Sequence, residues 1–298
     1  MRYFKWLHEY LGGKDGKKAT ATEVKGTGAG KLHVQFRMHP HICEVISRGF
    51  YEGDLTTDPE TLDGTGNHRP EFRHQLTLAG VPPTYDIQDR AIVWIDLPPS
   101  SKDRSFEESG QRQRSDWLNY RNLPEAHAVR AFLERLQPAP NWEREHSIAV
   151  LTPYRQQIIA LQYALRGLPT PPFLELVSSL GVRKSDERTQ WVHTVDSFQG
   201  NEADVIVTSL VRNNRESAVR DAIGFLADPE RLNVMLSRAK QLLVLVGSWE
   251  FFQAQTYLAR DGDDAFHLKT VLGILSQFFD QNRAVRIPVA QLMAPHIP

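Results

Sequence analysis

Two arginines seven residues apart bracket an apolar stretch in Arg231-Leu232-Asn233-Val234-Met235-Leu236-Ser237-Arg238-Ala239-Lys240, after which the chain runs into the apolar residues 242–246. An arginine fixed beside a buried strand presents a planar, permanently charged guanidinium whose donor fork matches phosphate oxygens better than a lysine ammonium does. Phosphoryl transfer spreads negative charge over equatorial oxygens, and a guanidinium supplied from across a cleft accelerates it by roughly 10³–10⁵. Arg238 is the first residue to which we assign this chemistry. The competing reading is a solvated basic face on one short helix bearing Arg231, Arg238 and Lys240; Asn233 and Ser237, set among Leu232, Val234, Met235 and Leu236, argue against it.

Three further blocks carry groups suited to phosphates. Gln35-Phe36-Arg37-Met38-His39-Pro40 follows the short run Leu32-His33-Val34, and Thr152-Pro153-Tyr154-Arg155-Gln156-Gln157 follows the apolar residues 148–151. Val195-Asp196-Ser197-Phe198-Gln199-Gly200-Asn201-Glu202-Ala203-Asp204 lies between the runs 192–195 and 205–207. The plain alternatives make Phe36 a core residue and Arg37 a surface ion-pair partner. They make Asp196 a helix N-cap and Pro153 the first residue of a helix after a strand-end turn. In α/β sheets, ligand-contacting residues gather at the carboxyl ends of strands, and each block is expected at such a junction.

The elements that must position these groups are legible as patterns. Residues 92–95, 148–151, 205–207 and 242–246 are continuous apolar runs rather than alternating ones, which predicts strands of a parallel sheet buried on both faces, and the short run Val192-His193-Thr194-Val195 is read as a further strand of it. Residues 122–136 place Ala126, Val129, Phe132, Leu133 and Leu136 at helical spacing behind a capping Asn122, and 155–165 do so with Ile158, Ile159, Leu161 and Leu165. Such alternation predicts an α/β domain. The 298 residues modestly exceed one hydrophobic core. Residues 1–31 read as a short helix (3–11) and a Gly/Lys-rich linker, and 32–250 as the α/β domain. That domain carries an irregular Asp, Thr, Gly and Pro-rich insertion at 52–90 and a polar loop at 98–121 with Lys102, Arg104, Arg112, Arg114 and Arg121. Residues 251–298 read as a C-terminal helical extension with a helix at 265–279.

Composition narrows the classes. Lys and Arg number 35 against 36 Asp and Glu, so nucleic-acid contact must come from local patches, with Arg112, Arg114, Arg183 and Lys184 as candidates. Cys43 is the only cysteine, which excludes an internal disulfide and suits a reducing compartment. No apolar run approaches the roughly 20 residues that cross a bilayer, and the first residues hold no signal core, so a cytoplasmic chain with no membrane partner is expected. His39 and His41 have no third ligand spaced to join them, so no metal site is expected. Gly26-Thr27-Gly28-Ala29-Gly30-Lys31-Leu32 has three residues where a phosphate loop has four before its Gly-Lys pair, and Leu32 where that loop has Ser or Thr. It reads as linker. No Ser-His-Asp arrangement is present to suggest a hydrolase triad.

As an ordered set, the four blocks resemble the second motor domain of superfamily 1 helicases, in the group that includes the nonsense-mediated-decay and Dna2-like helicases, over roughly residues 32–250. The resemblance implies a RecA-like parallel sheet sandwiched by helices, a P-loop NTPase-type fold lacking the phosphate loop. It implies that Phe36, in place of the more usual tyrosine, stacks on adenine, that Arg37 reaches the γ-phosphate, and that Arg238 is the finger arginine. Glu202 takes the position that contacts the ribose, Gly200 permits close backbone approach, and Gln35, Gln199 and Arg231 join the nucleotide-facing set. Thr152, Pro153, Tyr154, Gln157, Thr194, Asp196 and Ser197 match positions on the nucleic-acid side, where hydroxyl and amide donors meet phosphate oxygens. ATP with Mg²⁺ is then bound only jointly with a first RecA-like motor domain, whose phosphate loop and Asp-Glu metal box are not found in this sequence. The expected function is the C-terminal motor domain of an ATP-dependent DNA or RNA helicase acting on a single strand, inactive as this chain alone. The alternative is a non-catalytic nucleic-acid-binding or protein-interaction module.

Overall fold

The computed structural model describes residues 33–66, 68–100, 108–109, 120–140, 143–177 and 191–294. The expected helix at 3–11, the linker to residue 31, and Lys102, Arg104, Arg112, Arg114, Arg183 and Lys184 lie outside the described residues. In chain order the elements are β1 (Val34–Gln35), α1 (Pro40–Phe50), β2 (Thr56–Thr57), β3 (Leu76–Leu78), β4 (Ile92–Asp96), β5 (Glu108–Ser109) and β6 (Tyr120–Arg121). Then come α2 (Leu123–Arg135), β7 (Leu136–Pro138), β8 (His146–Thr152), α3 (Arg155–Ala164), β9 (Leu174–Leu176), β10 (Val192–Thr194) and β11 (Ala203–Ser209). The chain continues through α4 (Val219–Ile223), α5 (Pro229–Leu236), β12 (Ala239–Gly247), α6 (Trp249–Thr256), α7 (Phe266–Asp280), β13 (Val285–Pro288) and α8 (Val289–Met293).

Seven strands form one sheet in the order β10-β8-β11-β12-β4-β13, with β9 beside β8. Every pairing within it is parallel. Ile148, Val150, Val205, Val207, Leu242 and Val244 point into one core with α2, α3 and α8. Ala149, Leu151, Ile206, Leu243 and Leu245 point into the other with α1, α5, α6 and α7. Both faces are therefore covered, which is why the middles of these strands are apolar at consecutive rather than alternate positions. The parallel α/β sandwich is as the sequence predicts.

Several local expectations change. Asn122 does cap α2, accepting a hydrogen bond from Glu125 N at 3.1 Å. Pro153 does not start a helix: α3 begins at Arg155 after Tyr154. No helix follows Asp196, because residues 195–200 form consecutive turns. The segment 251–298 is more than a helical extension, since β13 adds an edge strand against β4 with Ile287 fully buried, and α7 packs on α1. Four residues of buried–exposed alternation are too short a signal to separate from a loop in sequence. The 52–90 insertion holds 3₁₀ turns and two short strands, of which β2 pairs with β1 and β3 runs antiparallel to β7.

Candidate functional site

The motif residues fall into two groups on opposite edges of the sheet. Glu202 immediately precedes β11 and Arg238 immediately precedes β12, so both stand at the amino edge. Thr152 and Thr194 end β8 and β10, at the carboxyl edge. The expectation that every block sits at a carboxyl end is thus corrected for Glu202 and Arg238. Arg238 is not on a helix with Arg231, because α5 stops at Leu236 and Lys240 is already in β12.

At the amino edge a tight loop leads from β1 to α1. Gln35 turns inward, and its Oε1 accepts from Arg37 N at 2.8 Å and Met38 N at 2.6 Å. Its Nε2 donates to Met38 O at 2.8 Å and Thr57 Oγ1 at 2.9 Å. Gln35 therefore spends its amide on the loop's own backbone. Met38 and His39 are buried beyond it, and His39 N donates to Lys240 O at 2.7 Å, which ties the loop to β12. The outcome is that Phe36 is 75% exposed, its ring presented to solvent and not part of the core.

Arg37 pairs with Glu202, and Lys240 Nζ lies 3.4 Å from the same carboxylate. Arg238 is only 9% exposed, and its Nε donates to Val234 O at 3.1 Å and Nη1 to Asn201 O at 3.3 Å. Burial pulls its pKa below the ordinary arginine value, the neighbouring Arg37 adds to that, and Glu202 opposes it. Two cations thus pair with one carboxylate, and Arg238, tied to the carbonyl of the residue before Glu202, stands beside them. Gly200, at φ +93°, sits in the turn just before, with open space where a Cβ would be, and Gln199 is exposed beside it. Lys240 and Asn201 lie within the quoted blocks but received no site role, because the sequence offers Lys240 only as part of a basic face and Asn201 only as a turn residue.

At the carboxyl edge, Pro153, Tyr154, Arg155, Thr194, Asp196, Phe225 and Arg231 line a groove of about 490 Å³. Thr194 Oγ1 donates to Ser197 Oγ at 2.9 Å and accepts from Ser197 N at 3.1 Å, while Asp196 and Ser197 are exposed. Arg231 is here and not in the Arg37–Arg238 cluster: it lies 4.0 Å from Asp196 and 3.7 Å from Asp228, over the Phe225 ring. The reason is helix direction. α5 returns from the carboxyl to the amino edge, so residues seven apart end up at different edges.

Thr152 and Gln157 are fully buried, behind the groove's surface rather than on it. Gln157 Oε1 accepts from Asn122 N at 2.7 Å, and its Nε2 donates to Asn122 O and Ser209 Oγ, both at 2.9 Å. Glu125, also fully buried, accepts from Ser209 Oγ at 2.6 Å and Val211 N at 2.8 Å. This network holds Val211 at φ +74°, a strained conformation for a β-branched residue. Tyr154 is buried as well, with Oη accepting from Phe225 N at 3.1 Å. Tyr154 closes the groove's wall; the groove's solvent-facing polar groups are Arg155, Thr194, Asp196, Arg220, Asp228 and Arg231, with Ser197 exposed beside Asp196.

Residues 195–202 connect the two edges. Thr194 is level with Thr152, and β11 starts near the level of His146, so the segment descends about 20 Å along the sheet. Phe198, fully buried and stacked on His193 at 5.2 Å, pins its middle. Its upper end carries Asp196 and Ser197, its lower end Glu202. Among the described residues, no group of three His, Cys, Asp or Glu side chains is placed to hold a metal ion, and no helix is long and apolar enough to cross a membrane.

A family profile described as an AAA domain matches residues 21–250. The chain is similar to Helicase sen1 of Schizosaccharomyces pombe, at 29% identity over 241 residues, covering 80% of this chain and 12% of that protein. It is 30% identical over 218 residues to the Regulator of nonsense transcripts 1 homolog of Neurospora crassa, covering 73% of this chain and 16% of that one. It is 30% identical over 226 residues to the DNA polymerase alpha-associated DNA helicase A of Saccharomyces cerevisiae, covering 74% and 28% respectively. The chain therefore spans less than a third of the length of each of these three relatives.

Proposed function

The chain belongs to the AAA-domain family of superfamily 1 helicases, as a second motor domain of the nonsense-mediated-decay and Dna2-like group, and from that premise we propose that it is the finger-bearing half of an ATP-driven motor. Its activity is completed by a first RecA-like motor domain on the same or another chain. The observation that carries this reading is the convergence of Arg37 and Arg238 beside the exposed ring of Phe36, with Arg238 held in place by two backbone carbonyls. A guanidinium fixed before substrate arrives loses no orientation energy when charge develops on the transferred phosphoryl group. The exposed ring offers a stacking face for a base.

The donor set suits a nucleoside triphosphate, because three cations and an aromatic ring match phosphates and a base and do not match a divalent cation. Magnesium, when bound, neutralises phosphate charge, and its carboxylate ligands are assigned to the first motor domain. Single-stranded DNA or RNA lies along the carboxyl-edge groove, with Thr194, Ser197, Arg155 and Arg231 meeting its phosphates. Residues 195–202 then transmit occupancy of one edge to the other.

The test is ATPase activity with single-stranded DNA or RNA, measured on this chain alone and mixed with a first motor domain. Activity is expected only on mixing, and Arg238→Ala should lower it by about 10³-fold or more. Activity on mixing that ignores Arg238→Ala would remove Arg238 from the finger role. Nucleic-acid binding with no ATPase in either case would instead favour a non-catalytic module.

A further inference from the structure

The subsite assigned above to phosphate already holds an anion, and the protein supplies it. Both described ion pairs of Arg37 and Lys240 go to Glu202. Arg238, nearly buried and tied to Val234 O and Asn201 O, has no freedom to leave the neighbourhood of Arg37. Two guanidiniums and an ammonium that close together require a counter-charge, and one carboxylate provides the minimum. Arg37 and Lys240, by contrast, keep 39% and 35% of their side-chain surface exposed, so their pairs with Glu202 are reachable by solvent and by solutes.

We propose that Glu202 is a built-in counter-anion that occupies the phosphate subsite of the nucleotide-free domain, and that Lys240 is a third phosphate-holding cation, released with Arg37 when a polyphosphate displaces the carboxylate. The inference rests on the reading of Arg37 and Arg238 as phosphate ligands. A triphosphate brings several negative charges and many acceptor oxygens to a cluster that one carboxylate only half satisfies, so exchange favours it. The hydrogen bond from His39 N to Lys240 O at 2.7 Å links the backbone bearing Lys240 to the loop bearing Arg37, so the two cations shift as one unit. Glu202 is in this account a positioning residue. It keeps the cations gathered before nucleotide arrives and competes with the nucleotide for them.

The discriminating probe is inorganic triphosphate, which has no base for Phe36 and no ribose for Glu202 to touch. Its affinity for the full chain is measured calorimetrically at fixed low ionic strength, because screening weakens exposed pairs. Glu202→Gln, which keeps the side-chain shape, should bind triphosphate about three- to fivefold more tightly than the parent, the range set by an exposed ion pair. Lys240→Met should weaken binding in both the parent and the Glu202→Gln background. Glu202→Gln binding no tighter than the parent, including no binding by either, overturns the counter-anion; Lys240→Met without effect overturns the third cation. If triphosphate binds but Arg37→Ala and Arg238→Ala leave it unchanged, the phosphate reading itself fails, and the two failures are thereby separate.

Discussion

Gly224 shows how much one position in this fold depends on having no side chain. It adopts φ +54°, and a Cβ there would meet Tyr154 Oη at 2.5 Å, the same hydroxyl that accepts from Phe225 N. Gly224→Ala is expected to destabilise the domain by about 2 kcal/mol, through left-handed strain and displacement of Tyr154 from the groove wall. Gly262 is the control: its φ of +88° carries similar backbone strain, but nothing lies within 4 Å of the added carbon. Urea midpoints lower for Gly224→Ala than for Gly262→Ala would establish the Tyr154 contact; equal midpoints would leave only the backbone effect. At this scale the sequence offered a glycine between Ile223 and Phe225, and nothing in it announced the tyrosine that closes on it.

At the scale of an element, the segment between β10 and β11 matters most, because it joins the two edges without a helix. Val195 and Phe198 are its two buried side chains, and Phe198, much the larger and in mid-segment, fixes the path of residues 195–202. Phe198→Ala should cost about 3–5 kcal/mol by opening a cavity in the core shared with α1 and α5. Phe198→Leu should cost far less, and is the variant that separates stability from coupling. In the mixed ATPase assay it is expected to retain basal turnover while losing much of the stimulation by single-stranded nucleic acid. Unchanged stimulation at reduced stability would make the segment a tether only.

For the whole molecule, the imidazoles set the response to acid. His41, His68 and His146 have pKa values lowered to about 4, in each case chiefly by burial. His39, His74 and His193 are also lowered, again chiefly by burial. His39 packs edge-on against both His41 and His68, with ring centroids 4.8 and 4.9 Å away, so protonating one of the three disfavours protonating the next. The ordinary value is 6.5, so between about pH 6.5 and pH 4 the unfolded chain binds more protons than the folded one. Stability from these groups is complete above pH 6.5 and is lost as pH falls towards 4. Urea midpoints should therefore drop steeply from pH 7 to pH 5, and His68→Gln should flatten the drop; a midpoint constant over that range would contradict the buried-neutral assignment.

Much of the architecture was legible in the residues themselves. Continuous apolar runs identified β4, β8, β11 and β12, because a strand buried on both faces has no solvent side on which to place a polar residue. Helical spacing identified α2 and α3, and Asn122 its cap, because these signals arise within a single turn. The motif residues were found by type and order. What only the tertiary structure decided was which of them meet. Arg231 and Arg238 are neighbours in sequence and belong to different edges, whereas Arg37 and Arg238, separated by 201 positions, share one cluster. Thr152 and Gln157 turned inward for the same reason that Lys240 turned towards Glu202. Spacing along a chain records local periodicity, while the sides and ends of a sheet are assigned by strand order and by the direction of each connecting helix. Those are fixed only when distant segments pack.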